Sequence, residues 1–238
     1  MNMFDQGAPA VYGPEAVSLQ NAFVNRVFGW MTAGLALTGS IAWYVSARFA
    51  AEVVKHSGMY LFLVLLELAV VLGLSFAIRK ISAAMALAGF LFFAALNGVT
   101  LSWIFIVYDP TSIMKTFFAT SATFGAMGLY GYLTKRDLTT LGSLCFMGLF
   151  GIIIASLVNL IWPNNTVGFV ISIIGVLIFV GLVAYDTQKI KQMALAAGEG
   201  AFEEETGKKY AIFGALTLYL DFINLFLYLL RLFGKANN

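Results

Sequence analysis

The sequence predicts an all-α integral membrane protein with seven transmembrane helices, and three observations carry that reading. Of its 238 residues 61% are hydrophobic and 11% charged, with a mean hydropathy of +0.88, whereas a soluble domain carries about 25% charged residues. Apolar windows of about 20 residues, enough to cross a bilayer as a helix, recur along the chain at 27–47, 58–78, 83–107, 116–133, 138–161, 167–185 and 210–233. All four prolines, Pro9, Pro14, Pro110 and Pro163, lie outside those windows, so each window reads as an unbroken helix.

Residues 1–21 carry Asp5, Pro9, Pro14 and Glu15 without a basic segment leading into a short apolar core. They read as a flexible N-terminal tail rather than a signal peptide. Residues 22–235 form one seven-helix domain, and 236–238 a short C-terminal tail. Most of the 23 glycines fall within spans, and small pairs such as Ala122/Ala126 and Gly151/Ala155 supply faces on which membrane helices approach closely. The connection 187–209 continues the sixth helix before a Gly-rich break. Its consecutive acids Glu203, Glu204 and Glu205 read as a solvated loop face, lacking the ligand alternation of a calcium-binding loop.

An odd number of spans puts the termini on opposite sides. One side carries Arg26, Arg79, Lys80, Lys135, Arg136, Lys189, Lys191, Lys208 and Lys209; the other carries Arg48, Lys55, Lys115, Arg231 and Lys235. Basic residues concentrate in cytoplasmic connections, so the N-terminus is expected in the cytoplasm and the C-terminus outside.

Several function classes are excluded on composition. With 14 Lys+Arg against 12 Asp+Glu and a net charge of +2, nucleic acid is not an expected partner. Cys145 is the one cysteine and His56 the one histidine, so no disulfide, zinc site or Ser/His pair within the spans can be built. Phosphate-loop and HExxH patterns are absent. No cofactor is expected.

What remains is a set of ionisable side chains inside the spans. In the seventh window Tyr210, Gly214, Thr217, Asp221, Asn224, Tyr228 and Arg231 follow one another at steps of four and three, forming one helical seam that faces other protein. A carboxylate at mid-membrane costs at least about 2.5 to 3.5 kcal/mol, so Asp221 marks a functional site with a partner. Asp186, at the cytoplasmic end of the sixth span, is the first candidate: two close carboxylates on adjacent helices cannot both ionise freely and hold one proton between them. Counted at 1.5 Å per residue from these boundaries, Asp221 lies about 16 Å from the cytoplasmic edge and Asp186 about 3 Å. Contact therefore needs both ends redrawn, and a sixth helix running on through Ile190 would narrow the gap.

A nearby guanidinium would bridge whichever carboxylate is charged, and Arg79 closes the second span on the same side. Glu67, mid-way along that span, is expected to form a structural ion pair with Arg231, since each is otherwise an uncompensated charge. The third span holds Asn97 and Thr100 one turn apart. Tyr185, Tyr219 and Tyr228 read as packing or interface aromatics.

At GLVAYDTQKI and ALTLYLDFINLFLYLLRLFG the chain resembles the transmembrane Bax inhibitor motif family, also called the Bax inhibitor-1 family, in its bacterial branch. Glu67, the AALNGVTLS segment of the third span, Asp186, Asp221 and Arg231 match in kind and order. The resemblance implies a seven-helix fold with the last helix central between two three-helix layers, in a bacterial inner membrane. It also implies a pH-sensitive calcium leak in which Asp186 and Asp221 form a proton-sharing dyad and Arg79 locks it. Calcium would meet the two carboxylates transiently, water supplying the rest of its six to eight oxygens.

Two other functions are weighed against the leak. Some bacterial relatives modulate a membrane-bound ATP-dependent protease, and residues 1–20 are the natural segment for such a contact. An intramembrane aspartyl protease would also place an aspartate on each of the last two spans, but Leu-Tyr-Leu precedes Asp221 where those enzymes carry Gly-x-Gly. The expected function is therefore not enzymatic.

Overall fold

The computed structural model describes residues 14–55, 58, 60–78 and 80–237. Their order is α1 (Pro14–Lys55), α2 (Tyr60–Ala77), α3 (Ala83–Val107), α4 (Pro110–Leu133), α5 (Thr139–Ile161), α6 (Asn165–Gly198) and α7 (Glu204–Phe233). Each apolar window lies within or against one helix. By length and composition α3, α5, α6 and α7 are long and apolar enough to cross a membrane, and α2 contributes a shorter apolar helix.

Local chemistry sets the helix ends. Ser82 caps α3, Asp109 caps α4 through Ser112 N–H at 3.1 Å with Pro110 in the first turn, and Asn164 caps α6 through Val167 N–H at 3.1 Å; in each case a side-chain oxygen satisfies an N–H that has no intrahelical acceptor. At the start of α5 the Thr139 N–H and hydroxyl both donate to Asp137, at 2.9 and 2.6 Å. Those donors hold the Asp137 carboxyl below the usual carboxylate range.

Two boundaries differ from the sequence reading. Helix α1 begins at Pro14, inside the stretch assigned to a tail, because proline and Glu15 suit a first helical turn and because Ala16 and Gln20 lie against Gly198 at the end of α6. Residues 1–13 lie outside the described residues. Likewise Glu204 and Glu205 are not loop residues but the first turn of α7, where acidic groups favour the positive helix end. Glu204 pairs with Lys208 at 2.7 Å, and Glu205 accepts the Ala83 N–H of α3 at 2.6 Å. The turn before them is made at Gly200, with φ +73°, a conformation that costs glycine little. In α1, helical geometry breaks at Phe49 (φ −127°, ψ 21°), close to where the apolar window ends.

Helix α7 packs against α1, α3, α4 and α6, while α2 lies on α3 and α5 on α6. Helices α1, α3 and α2 thus pack in one series and α4, α6 and α5 in another, joined both through α7 and by direct packing of α1 on α6. Leu218, Tyr219 and Leu225 of α7 are fully buried on faces outside the polar seam. Its Leu, Ile and Phe positions are therefore core as much as its polar ones, while a stripe through Phe213, Thr217, Leu220, Asn224 and Leu227 is only half-buried.

Close approach is made by glycines, though not by the small pairs expected. Ala122 and Ala126 are exposed; on α4 it is Gly131 that lies on the Ala184 backbone and Gly128 on Thr187. The C-terminus is tied down. Ala236 bridges Tyr108, and the N–H groups of Asp109 and Asn237 donate to Lys235 and Val107 carbonyls at 3.0 and 2.8 Å.

Candidate functional site

The polar seam of α7 lies along α6 in antiparallel register. Gly214 meets Ile190, Asp221 meets Asp186, the Tyr228 ring fills the space above Gly175 and stacks on Phe179 at 5.8 Å, and the Arg231 guanidinium covers Gly168. Seam positions climb α7 as their contacts descend α6, so one helical period places all four.

Asp186 and Asp221 are brought together as expected. They are 7% and 4% exposed, and the carboxyl groups face each other within reach of a shared proton. Oδ2 of Asp221 is buried without a hydrogen-bond partner. The depth difference narrows because both helices extend beyond their windows, α6 to Gly198 and α7 from Glu204; at 1.5 Å per residue Asp186 lies about 18 Å and Asp221 about 26 Å inside those ends.

A cavity of about 380 Å³ opens beside Asp186, between α6 and the first turns of α7. Lys189, Gln192, Tyr210 and Thr217 supply its other polar groups. The Lys189 ammonium stands 4.9 Å over the Tyr185 ring, a cation–π contact, and its charge acts on Asp186. Among the described residues no third His, Cys, Asp or Glu joins the pair in a metal-holding cluster. A cation at this site would have at most two carboxylates from the pair, with water needed to complete its shell.

The Glu67–Arg231 pair does not form. Glu67 accepts a hydrogen bond from the Thr100 hydroxyl of α3, whereas Arg231 is exposed at the end of α7 against Gly168 and Asn159. The cause is topological: α2 packs on α3 and has no extended contact with α7. Arg79 lies outside the described residues, so its expected contact with the dyad has no structural counterpart here.

Some polar groups of the site were not singled out by sequence reasoning. The Thr38 hydroxyl donates to the Ala94 carbonyl at 2.8 Å and receives the Tyr219 hydroxyl at 2.8 Å, joining α1, α3 and α7 two residues before Asp221. The Tyr219 ring packs as the sequence leads one to expect, edge-on to Phe90 and Phe93, but a phenol buried in an apolar helix also requires an acceptor. Gln188 clasps the α4–α5 connection, accepting from Leu138 N–H at 2.9 Å and donating to the Arg136 carbonyl at 2.8 Å. Thr187 Oγ1 is buried without a hydrogen bond, as is Oδ1 of Asn97, the third-span residue noted in the sequence.

Comparison with known proteins gives one consistent picture. The model of the family described as "Inhibitor of apoptosis-promoting Bax1" matches residues 20–238. An inner membrane protein of Escherichia coli, YbhL, is 49% identical over 217 residues, covering 90% of this chain and 91% of its own length. A protein of Borreliella burgdorferi is 43% identical over 226 residues, covering 94% and 96%. An uncharacterized membrane protein of Streptococcus pyogenes is 38% identical over 229 residues, covering 94% and 97%.

Proposed function

Because this chain belongs to the family of inhibitors of apoptosis-promoting Bax1 and is a helical membrane protein, we propose that it is a pH-sensitive calcium leak gated by Asp186 and Asp221. The observation that carries the reading is the pairing of these two nearly inaccessible carboxyl groups, from different helices, with Asp186 at the wall of a cavity. In this reading all seven helices span a bacterial inner membrane with the N-terminus in the cytoplasm, and no catalytic step is involved.

The gate follows from charge. With one proton between them the carboxyl groups are held together by a hydrogen bond and carry a single negative charge. Loss of that proton leaves two like charges in a poorly solvated site, which repel each other and attract a divalent cation. Calcium reaches Asp186 from the cavity, exchanging part of its water for carboxylate oxygen. Passage therefore rises with pH. Arg79, as a counter-charge to the deprotonated pair, would hold the path closed.

The test is dye-reported calcium entry into liposomes between about pH 5 and 8, the range in which a coupled carboxyl pair can titrate. Asp221→Asn and Asp186→Asn are each expected to flatten the pH profile, and Arg79→Ala to raise passage at the alkaline end. A pH profile unchanged in both Asn variants refutes the gate. Absence of any protein-dependent entry refutes the leak.

A further inference from the structure

A second cavity is larger than the one beside the dyad. About 810 Å³ in volume, it lies between α1, α3, α4 and α7, within the size range of ligand sites. Its inner wall is made by Leu101, Ile104, Phe222 and Phe226. The Thr38 and Ser46 hydroxyls on its α1 side already donate to backbone carbonyls, of Ala94 and Trp43, each at 2.8 Å. Neither hydroxyl has a free proton to offer water, and away from the Ser46–Asn237 end the wall is apolar and holds water poorly.

The cavity is open sideways. Helices α1 and α4 make no extended contact, and the gap between them is rimmed by Trp43, Met114 and Phe118, which are 63%, 60% and 64% exposed. Along α1 the lining runs from Leu35 to Ala50, about 22 Å of helix, more than the ~15 Å of one leaflet's hydrocarbon. Ser46, Pro110 and Asn237 lie at one end. Exposed Arg48, Lys115 and Lys235 adjoin that end in the chain, against Glu52 and Asp109, and the Asp109 carboxylate is engaged in capping α4.

We propose that this cavity is a lipid site, taking one acyl chain of an anionic phospholipid through the gap between α1 and α4, with the headgroup at the Ser46–Asn237 end. Three features select this occupant over water or a soluble ligand: an apolar wall whose hydroxyls are satisfied, an entrance facing the bilayer, and surplus positive charge at the polar end. The site is independent of the dyad and of any ion passage.

Gly39 supplies the test, since it lines the cavity and a Cβ added there meets nothing within 4 Å. Gly39→Leu adds bulk to the cavity wall from a position where the new Cβ displaces no neighbour. Gly29→Leu is the control on the same helix, equally open but on an exposed face away from the cavity. Delipidated protein in detergent is titrated with phosphatidylglycerol, with phosphatidylcholine and with a free fatty acid, and bound lipid is counted by native mass spectrometry. One phosphatidylglycerol per chain is expected, retained by Gly29→Leu and reduced at least tenfold by Gly39→Leu. Lys115→Gln, which leaves the cavity intact, should weaken phosphatidylglycerol binding severalfold and leave phosphatidylcholine unchanged. Equal retention of phosphatidylglycerol by Gly39→Leu and wild type overturns the site. Equal binding of phosphatidylcholine or fatty acid by the wild type overturns the headgroup assignment.

Discussion

The Tyr219 hydroxyl reaches the Thr38 hydroxyl at 2.8 Å, and Thr38 in turn donates to the Ala94 carbonyl at 2.8 Å. Because Thr38 uses its own proton on α3, Tyr219 must be the donor of the first bond. Removing the acceptor by Thr38→Val strands a buried phenol and is expected to cost about 1–3 kcal/mol. Tyr219→Phe removes donor and hydroxyl together, so the double variant should cost less than the sum of the single ones. Thermal unfolding in detergent across this double-mutant cycle measures the difference; strict additivity would mean that the bond contributes nothing.

A backbone contact positions the dyad from the other side. Gly131 of α4 lies against the Ala184 carbonyl, two residues before Asp186. Gly131→Ala forces α4 and α6 apart and should destabilise the protein by about 1–3 kcal/mol, the range for overpacking. At Gly125, on the same helix, an added Cβ meets nothing within 4 Å, and Gly125→Ala should be neutral or stabilising by up to about 1 kcal/mol. Similar unfolding temperatures for the two variants would refute the close approach.

Glu67 is tied to Thr100 and not to Arg231. Glu67→Gln and Thr100→Val should therefore couple by more than about 0.5 kcal/mol, while Glu67→Gln and Arg231→Gln should add to within that margin. Urea unfolding in mild detergent distinguishes the pairs. Coupling of Glu67 to Arg231 would show that the two meet after all.

The uneven division of basic residues predicts opposite sides for the termini. Cysteines placed at Ala10 and Ala236, with the buried Cys145 replaced by alanine, should be labelled by an impermeant reagent from the cytoplasm and from outside, respectively. Labelling of both from one face would remove the seven-span arrangement.

The sequence by itself determined the helix inventory, because bilayer thickness requires apolar windows of a fixed length and each such window lies within or against one helix. It also determined the seam of α7: a helical period is a local property, so Gly214, Asp221, Tyr228 and Arg231 had to share a face, and that face meets α6. Asp186 and Asp221 were legible for the same reason, as costly charges in an apolar setting. Tertiary structure decided what depends on neighbours. Glu67 and Arg231 each looked in need of a counter-charge, yet pairing them required α2 to lie on α7, and α2 lies on α3. Asp186 is deep only because α6 continues to Gly198, supported where Ala16 and Gln20 of α1 meet its end. Thr38 gave no signal along the chain, since its acceptor on α3 and its donor on α7 become neighbours only when three helices pack.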